Sequence, residues 1–512
     1  MVGLMQQRDP LAQYRARPKA ELKTISAPTG GWNTTSSLSE MPALDAVVLD
    51  NFFPTVGSVD LRRGHESYAT GIGAGDVETL AEYHSGGTRK FLAAGGGAIY
   101  DISSAGAGTS LASGFANNRW QSVMFNTKLH LVNGADDPRT YDGSAIATPT
   151  WTGAGLTNTT LNGVCVYRSR LFFWQVASQD FWYGGVESVS GTLTKFPMSM
   201  LGKFGGNIVC MTPWARVVGD TTQEALAVVM SSGEVAIFVG TDPTSASDWL
   251  LQGVPKIGPP LNVRGVYRLG NDVLVLTRDD WTSLVKVFGR DRVGTSKSSK
   301  ISGAAATAAR SFSSSFGWSI CHYPAGNMLI INVPKSGDQH FEQHVLNTIT
   351  GAWCRFTGMH AHHWATYEDN LYFAGAGGIV YKADTGTDDN GEAITADAQT
   401  AWTHFGRQQP KMMVGVRPVI SCTGSLTFTF GFGFDFKEVQ VNQSASSVSS
   451  GPLWDVALWD VEQWAPEANI RTDQYDASGE GTDISFRWRY SGEGQEVKWF
   501  RTDYWYIPGW AL

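Results

Sequence analysis

Long apolar runs are missing from this sequence. Nothing in its 512 residues approaches 18 consecutive apolar side chains, so no membrane-crossing helix is expected. From Met1 to Lys23 there is no apolar block ahead of a small-residue cleavage site, so a signal peptide is not expected either. Cysteine is scarce: Cys165, Cys210, Cys321, Cys354 and Cys422 are odd in number, scattered, and form no CxxC pair. That pattern excludes a disulfide framework and standard metal spacing, and points to buried reduced thiols in a protein assembled in a reducing cytosol. Charge is thin too, at 17% of residues, with a net value of −8. Without a basic excess, tight binding to nucleic acid through phosphate neutralisation is not expected. A conduit through which DNA slides remains compatible, because a weakly acidic wall would not hold it.

What is abundant is glycine, at 58 residues, and tryptophan, at 19, with aromatics at 12%. Many short strands joined by glycine turns have this composition, so the chain reads as mainly β. Beyond Ser67 an apolar run repeatedly meets a turn and is answered by a second run, which is a β-hairpin pattern. The instances span 80–93, 123–132, 164–174, 226–238, 266–276, 321–331 and 364–373, turning near Gly86, Asn126, Ser169, Ser232, Gly270, Gly326 and Asp369. Further strand-like runs follow at Ala98–Asp101, Thr140–Gly143, Phe181–Gly184 and Ile379–Asp384. The mean turn spacing of about 47 residues is that of a propeller blade. A lone four-stranded sheet cannot bury both faces, whereas a ring of them can. The expected fold is a β-propeller of about seven blades, six being possible, followed by a C-terminal β-sandwich-like domain. A pair of β-sandwiches is the rival.

The expected organisation is a flexible basic arm over 1–25, a propeller over 26–405 and a Trp-rich β domain over 406–512. The arm carries Arg8, Arg15, Arg17, Lys19 and Lys23. A Ser/Ala-rich helical insertion is expected near 295–315. In the last domain 412–420, 426–436, 484–490 and 497–506 alternate as strands, and Trp454, Trp459 and Trp464 recur every five residues.

Groups that could carry chemistry are weak. His340-Phe341-Glu342-Gln343-His344 is HxExH rather than HExxH and lies in strand-like sequence, where its histidines would share a face. His360, His362 and His363 read as a loop. The glycine clusters at 71–75, 95 and 375 would be phosphate loops only ahead of a helix, and strands follow them. Ser296 with Lys297 and Lys300 lacks an apolar pocket to depress a lysine. Asp279-Asp280-Trp281, and Asp455 with Asp460, are the nearest to carboxylate pairs, and read as turn and cap residues. No catalytic, cofactor-binding or metal-binding residue is assigned, no cofactor is expected, and the chain is not expected to be an enzyme.

Several blocks nevertheless carry a resemblance. They are Pro28-Thr29-Gly30-Gly31-Trp32-Asn33-Thr34, Met41-Pro42-Ala43-Leu44-Asp45-Ala46, and Leu49-Asp50-Asn51-Phe52-Phe53-Pro54. With them go Ser232–Pro243 running into Ala246–Trp249 and Ile257–Pro260, then Tyr323–Leu329, Trp454-Asp455 and Trp459-Asp460. Together they resemble the tail hub, nozzle or packaged-DNA stabilisation proteins of short-tailed bacteriophages. The resemblance implies a structural propeller subunit of the virion tail, in a ring of six below the portal and adaptor, that retains packaged DNA and allows its ejection. Implied partners are its own copies, the portal and adaptor proteins, tail fibres or tailspikes, and passing double-stranded DNA bound without sequence specificity. Assembly would take place in the host bacterial cytoplasm. The alternative from another class is a receptor-binding or glycan-cleaving propeller, with Trp174, Trp182 and Trp281 as sugar platforms; exposed, clustered tryptophans favour it and buried, dispersed ones do not.

Overall fold

The computed structural model describes residues 19–198, 205–218, 220–288, 298–335, 341–447 and 469–509. The protein is mainly β, with 53% of residues in strands and 6% in helix. Every turn foreseen from the sequence joins two antiparallel strands. Val77–Ser85 pairs with Thr88–Gly95, Gln121–Phe125 with Lys128–Val132, and Leu161–Tyr167 with Arg170–Gln175. Left-handed backbone at Asn126-Thr127, Arg168-Ser169 and Glu368-Asp369 gives three of these turns the twist that matches their strands.

Among the described residues, seven groups of antiparallel strands follow one another along the chain from Val77 to Ala383, the sixth being part of a 10-stranded sheet and the seventh of a 5-stranded one, and a separate 2-stranded sheet pairs Trp151–Thr152 with Gly191–Thr192. Their first strands are neighbours in sequence order: Val77–Ser85, Gln121–Phe125, Leu161–Tyr167, Ile208–Val218, Val266–Leu269, Ser319–Tyr323 and His363–Tyr367. The last of them lies against the first, so the arrangement closes and is propeller-like. The closing sheet takes its outer antiparallel strand, His65–Thr70, from the chain's beginning, paired with Val380–Ala383. Apolar layers fill the spaces between sheets: Phe91 stacks on Tyr367 at 4.8 Å where the ring closes, and Phe238 on Trp249 at 5.2 Å between the third and fourth sheets.

The hairpin over 226–238 is the second of its sheet, joining Thr221–Met230 to Val235–Val239. The first turn lies between Val218 and Thr221, and with it in place the uneven turn spacing on either side becomes nearly regular. The helical insertion is present as a short turn, Ser299–Ile301, and the helix Ser302–Phe312.

The boundaries expected at 26 and 406 require correction. The sixth sheet, ending in Trp353–Phe356, continues outward through Asp45–Asp50, Ile394–Thr400, Ile484–Gly492, Leu426–Phe434 and Gln443–Ser447. A second sheet is centred on Val497–Pro508, with Lys411–Cys422 on one side and Glu21–Ser26 and Val59–Leu61 on the other. The two sheets face each other across Phe486, Trp488, Trp499 and Tyr504, with Trp488 and Trp499 rings 5.6 Å apart. Residues 21–61 therefore belong with this sheet pair, because Glu21–Ser26 and Val59–Leu61 pair with Val497–Pro508 and Asp45–Asp50 pairs with Ile394–Thr400. The expected arm is also shorter than 1–25, since Glu21–Ser26 is a strand; Lys19 and Lys23 are exposed, and residues 1–18 lie outside the described residues. So do Trp454, Trp459 and Trp464. No helix among the described residues is long and apolar enough to cross a membrane.

Candidate functional site

Buried polar groups gather in several places; besides the Asn332–Gln343–Trp364 network where the sixth sheet meets the seventh, two join distant segments, and the first is the centre of the ring. Arg264 sits in the turn Val263–Gly265 that enters the fifth sheet. Its Nη1 donates to the Glu78 carbonyl at 2.7 Å, and its Nη2 to Thr79 Oγ1 at 2.7 Å and the Trp120 carbonyl at 3.0 Å. Those acceptors belong to the entries of the first and second sheets, which do not adjoin the fifth, so the side chain spans the ring's middle. Arg119 lies 4.1 Å over the Phe316 ring, with Arg264 5.3 Å from it, and Arg119 pairs with Glu78. Burial brings the Arg264 guanidinium down to about 10, which leaves it charged at neutral pH. Beside it, His363 Nδ1 accepts from the Leu80 amide at 3.1 Å, and desolvation together with Arg264 holds this imidazole well below its usual range. The arrangement is a plug bonded to backbone, with a neutral histidine next to it.

The second place is the seam between the ring and the sheet pair. Asn51 has left-handed backbone (φ 57°) and is buried; its Nδ2 donates to Thr357 Oγ1 and the Thr395 carbonyl, and its Oδ1 accepts from Arg62 Nε at 2.8 Å. Arg62 grips both Asp389 oxygens, at 2.8 and 2.5 Å, and His65 Nδ1 lies 3.1 Å from the same carboxylate. Burial would raise the Asp389 carboxyl, but Arg62 and His65 outweigh it and bring it down to about 2. On the neighbouring strand Arg355 holds Asp50 in a two-point pair at 2.7 and 2.6 Å and lies 5.5 Å over the Trp32 ring.

The opening words of the chain build the same seam. A Cβ on Gly31 (φ +84°) would lie 2.6 Å from the Trp353 carbonyl oxygen, so only glycine fits. Asn33 donates to Asp45 at 2.8 Å, Lys300 reaches Asp45 at 2.7 Å and the Gly30 carbonyl at 2.8 Å, and Thr34 Oγ1 accepts the Ala304 amide at the start of the helix Ser302–Phe312. Trp32, Thr34 and that helix border a cleft of about 510 Å³, with Lys335, Glu342 and Arg355 at its charged side.

Residues nominated from the sequence are mostly not brought together. His344 is fully buried, its Nε2 3.3 Å from Glu342 Oε1, and Glu342 also pairs with Lys335 at 2.8 Å; His340 lies outside the described residues. Burial raises the Glu342 carboxyl, but His344, Lys335 and Arg355 bring it to about 2. No group of three or more His, Cys, Asp or Glu suited to a metal occurs among the described residues. Asp279 and Asp280 form the turn before Trp281, with the Asp280 amide on Thr277 Oγ1, its carbonyl accepting from Thr277, and its carboxylate accepting from Ser298 Oγ. Asp455, Asp460, Ser296 and Lys297 lie outside the described residues. Trp174, Trp182 and Trp281 are 2%, 2% and 3% exposed, and the first two donate to the Val209 and Ala154 carbonyls. All five cysteines are buried and free, and burial pushes the Cys210 and Cys321 thiols up to about 12.

Three glycine clusters, separate in sequence, interlock where the ring closes. The Gly378 amide donates to the Gly75 carbonyl at 2.7 Å, Ile72 to the Gly378 carbonyl at 3.1 Å, and Val77 to the Gly375 carbonyl at 3.0 Å. A Cβ on Gly73 would come 2.7 Å from the Gly96 Cα. Each cluster reads as a turn, but nothing in the sequence marks their meeting. Arg264 and Asp389 carry no local mark either, since their partners come from distant segments.

Neither a known protein family nor a curated protein matches the chain. Solved structures similar to it include a computationally designed protein, Ika8, at 8% identity and a TM-score of 0.36, covering 62% of this chain and 99% of the designed one. The BBS1N chain crystallised with ARL6DN gives 9% identity and 0.38, covering 64% and 99%. A glycoside hydrolase family 43 arabinoxylan arabinofuranohydrolase from Bacillus subtilis gives 11% and 0.25, covering 88% and 96%. At these scores the likenesses carry no functional argument, and the fold rests on its own strand order.

Proposed function

We propose that the protein is a structural subunit of a short-tailed bacteriophage tail, the hub or nozzle ring that continues the portal and adaptor channel. On this reading the seven sheets are the blades of a seven-bladed propeller, and the facing sheets are a β-sandwich that includes both the first strands and the last. The observation that carries the proposal is the use made of the resembling words. Among the resembling words before residue 55, Gly31, Trp32, Asn33, Asp45, Asp50, Asn51 and Phe52 all serve the seam, while Val235–Val239 and Tyr323–Leu329 lie in the ring, so on this reading the N-terminal part of the resemblance is an architectural joint. A sheet shared between ring and sandwich fixes their relative orientation without a linker, as a load-carrying ring subunit requires. Arg264 across the ring's middle supports a DNA path running between subunits and not through one propeller. The buried tryptophans argue against sugar platforms.

The test is native mass spectrometry of the purified chain, alone and with portal and adaptor. A ring, with six copies expected, supports the proposal. A chain that stays monomeric and never joins them would sink it, as would polysaccharide cleavage abolished by Asp279→Asn or Asp280→Asn.

A further inference from the structure

The outward face of the sheet centred on Val497–Pro508 carries an apolar stripe that the described residues leave partly exposed. Cross-strand register puts Leu22 beside Trp505 and Ile507 beside Met412. Leu22 is 54% exposed, Met412 48% and the adjoining Val414 38%. Arg417 lies 5.1 Å over the Trp505 ring, so the stripe has the Trp, Met and Arg content of an interface core. The same rows end in acid. Gly415, opposite Trp505, is also opposite Asp476, and Met412 is opposite Glu480; both carboxylates are exposed.

The chain supplies a matching segment. Residues 1–18 hold Val2, Leu4, Met5, Leu11 and Tyr14, with Arg8, Arg15 and Arg17 against the single acid Asp9. Fully extended they reach on the order of 60 Å, and crossing from the Leu22 strand to the acidic edge takes about 15 Å. The strand begins at Glu21, opposite Tyr506, so the preceding residues enter at the end of the sheet. To lie on their own stripe they would have to turn across the strands directly ahead of Lys19, whereas a segment from another copy can approach along the stripe.

We infer that the stripe is the docking surface for residues 1–18 of a second copy, with Leu22, Trp505 and Met412 taking its apolar side chains and Asp476 and Glu480 its arginines. This deepens the ring reading and rests on it only in requiring that copies meet. The experiment places a benzophenone side chain at position 412 of the full chain, mixes it with isotopically labelled wild-type chain, irradiates, and maps the products. Cross-links between copies that end within residues 1–18 are expected. Asp476→Lys with Glu480→Lys should lower their yield at least about fivefold at unchanged melting temperature, and adding Arg15→Glu and Arg17→Glu should restore it. Cross-links within one copy, cross-links to other segments, no cross-link at the highest soluble concentration, or a yield indifferent to the charge swap would overturn the inference. Contact between copies is read here without portal or adaptor, so this experiment can fail while the ring forms, and succeed where the phage reading fails.

Discussion

At the ring's centre the buried charge is one guanidinium, Arg264, held by two carbonyls and a hydroxyl. At the seam the charges are opposed pairs, the buried Arg62 with the half-buried Asp389, and Arg355 with Asp50, both half-buried. A cation bonded to backbone keeps its partners at every pH where it stays charged, while a carboxylate pair depends on staying ionised. The Arg264 contacts should therefore be indifferent to acid, but the neutral His363 beside them should not: its imidazole is held well below the usual value of about 6.5, so the centre loses stability as pH falls below about 6.5, and the seam follows once its carboxylates protonate below about 4.

Removing one partner of the seam breaks the comparison most strongly. Asp389→Ala leaves Arg62, whose side chain is 1% exposed, without its carboxylate, and should cost about 3–5 kcal/mol in thermal or denaturant unfolding. A loss below about 1 kcal/mol would mean that the pair does not hold ring and sheets together. Arg264→Met should cost about 2–3 kcal/mol, since it leaves the Thr79 hydroxyl and two buried carbonyls without this donor.

Acid sharpens the contrast. Asp389 and Glu342 are held near 2, below the usual carboxylate value of about 4, so the folded state binds fewer protons than the unfolded one. Their stabilisation is present above that usual value and is lost as pH falls toward about 2. A melting series from pH 6 to 2.5 should show the decline in the wild type, a shallower decline below about pH 4 in Asp389→Ala, and a shallower decline above it in Arg264→Met, which takes the cation away from His363. The smallest effect is expected at Thr34→Ala, which removes the hydroxyl that accepts the Ala304 amide, for about 1 kcal/mol by the same unfolding assay.

The same two regions differ in how far the sequence announces them. The ring was legible because each hairpin is local: Asn126-Thr127 or Glu368-Asp369 between alternating apolar runs marks its own turn. The sheet pair was only half legible. Its late strands alternate visibly, but their partners Glu21–Ser26, Asp45–Asp50 and Val59–Leu61 lie more than 300 residues away, and pairing at that distance leaves no local pattern. The candidate sites follow the same rule. Glycine clusters could be read as turns one at a time, while the plug and the seam are made by contacts between segments far apart.

The most direct test of the account is cryo-electron microscopy of the chain assembled with portal and adaptor. The account predicts a ring continuing the channel, with each subunit's seven sheets around an Arg264-closed centre and the DNA path running between subunits. A chain absent from that channel, or a path threading the centre of a single subunit, would contradict it.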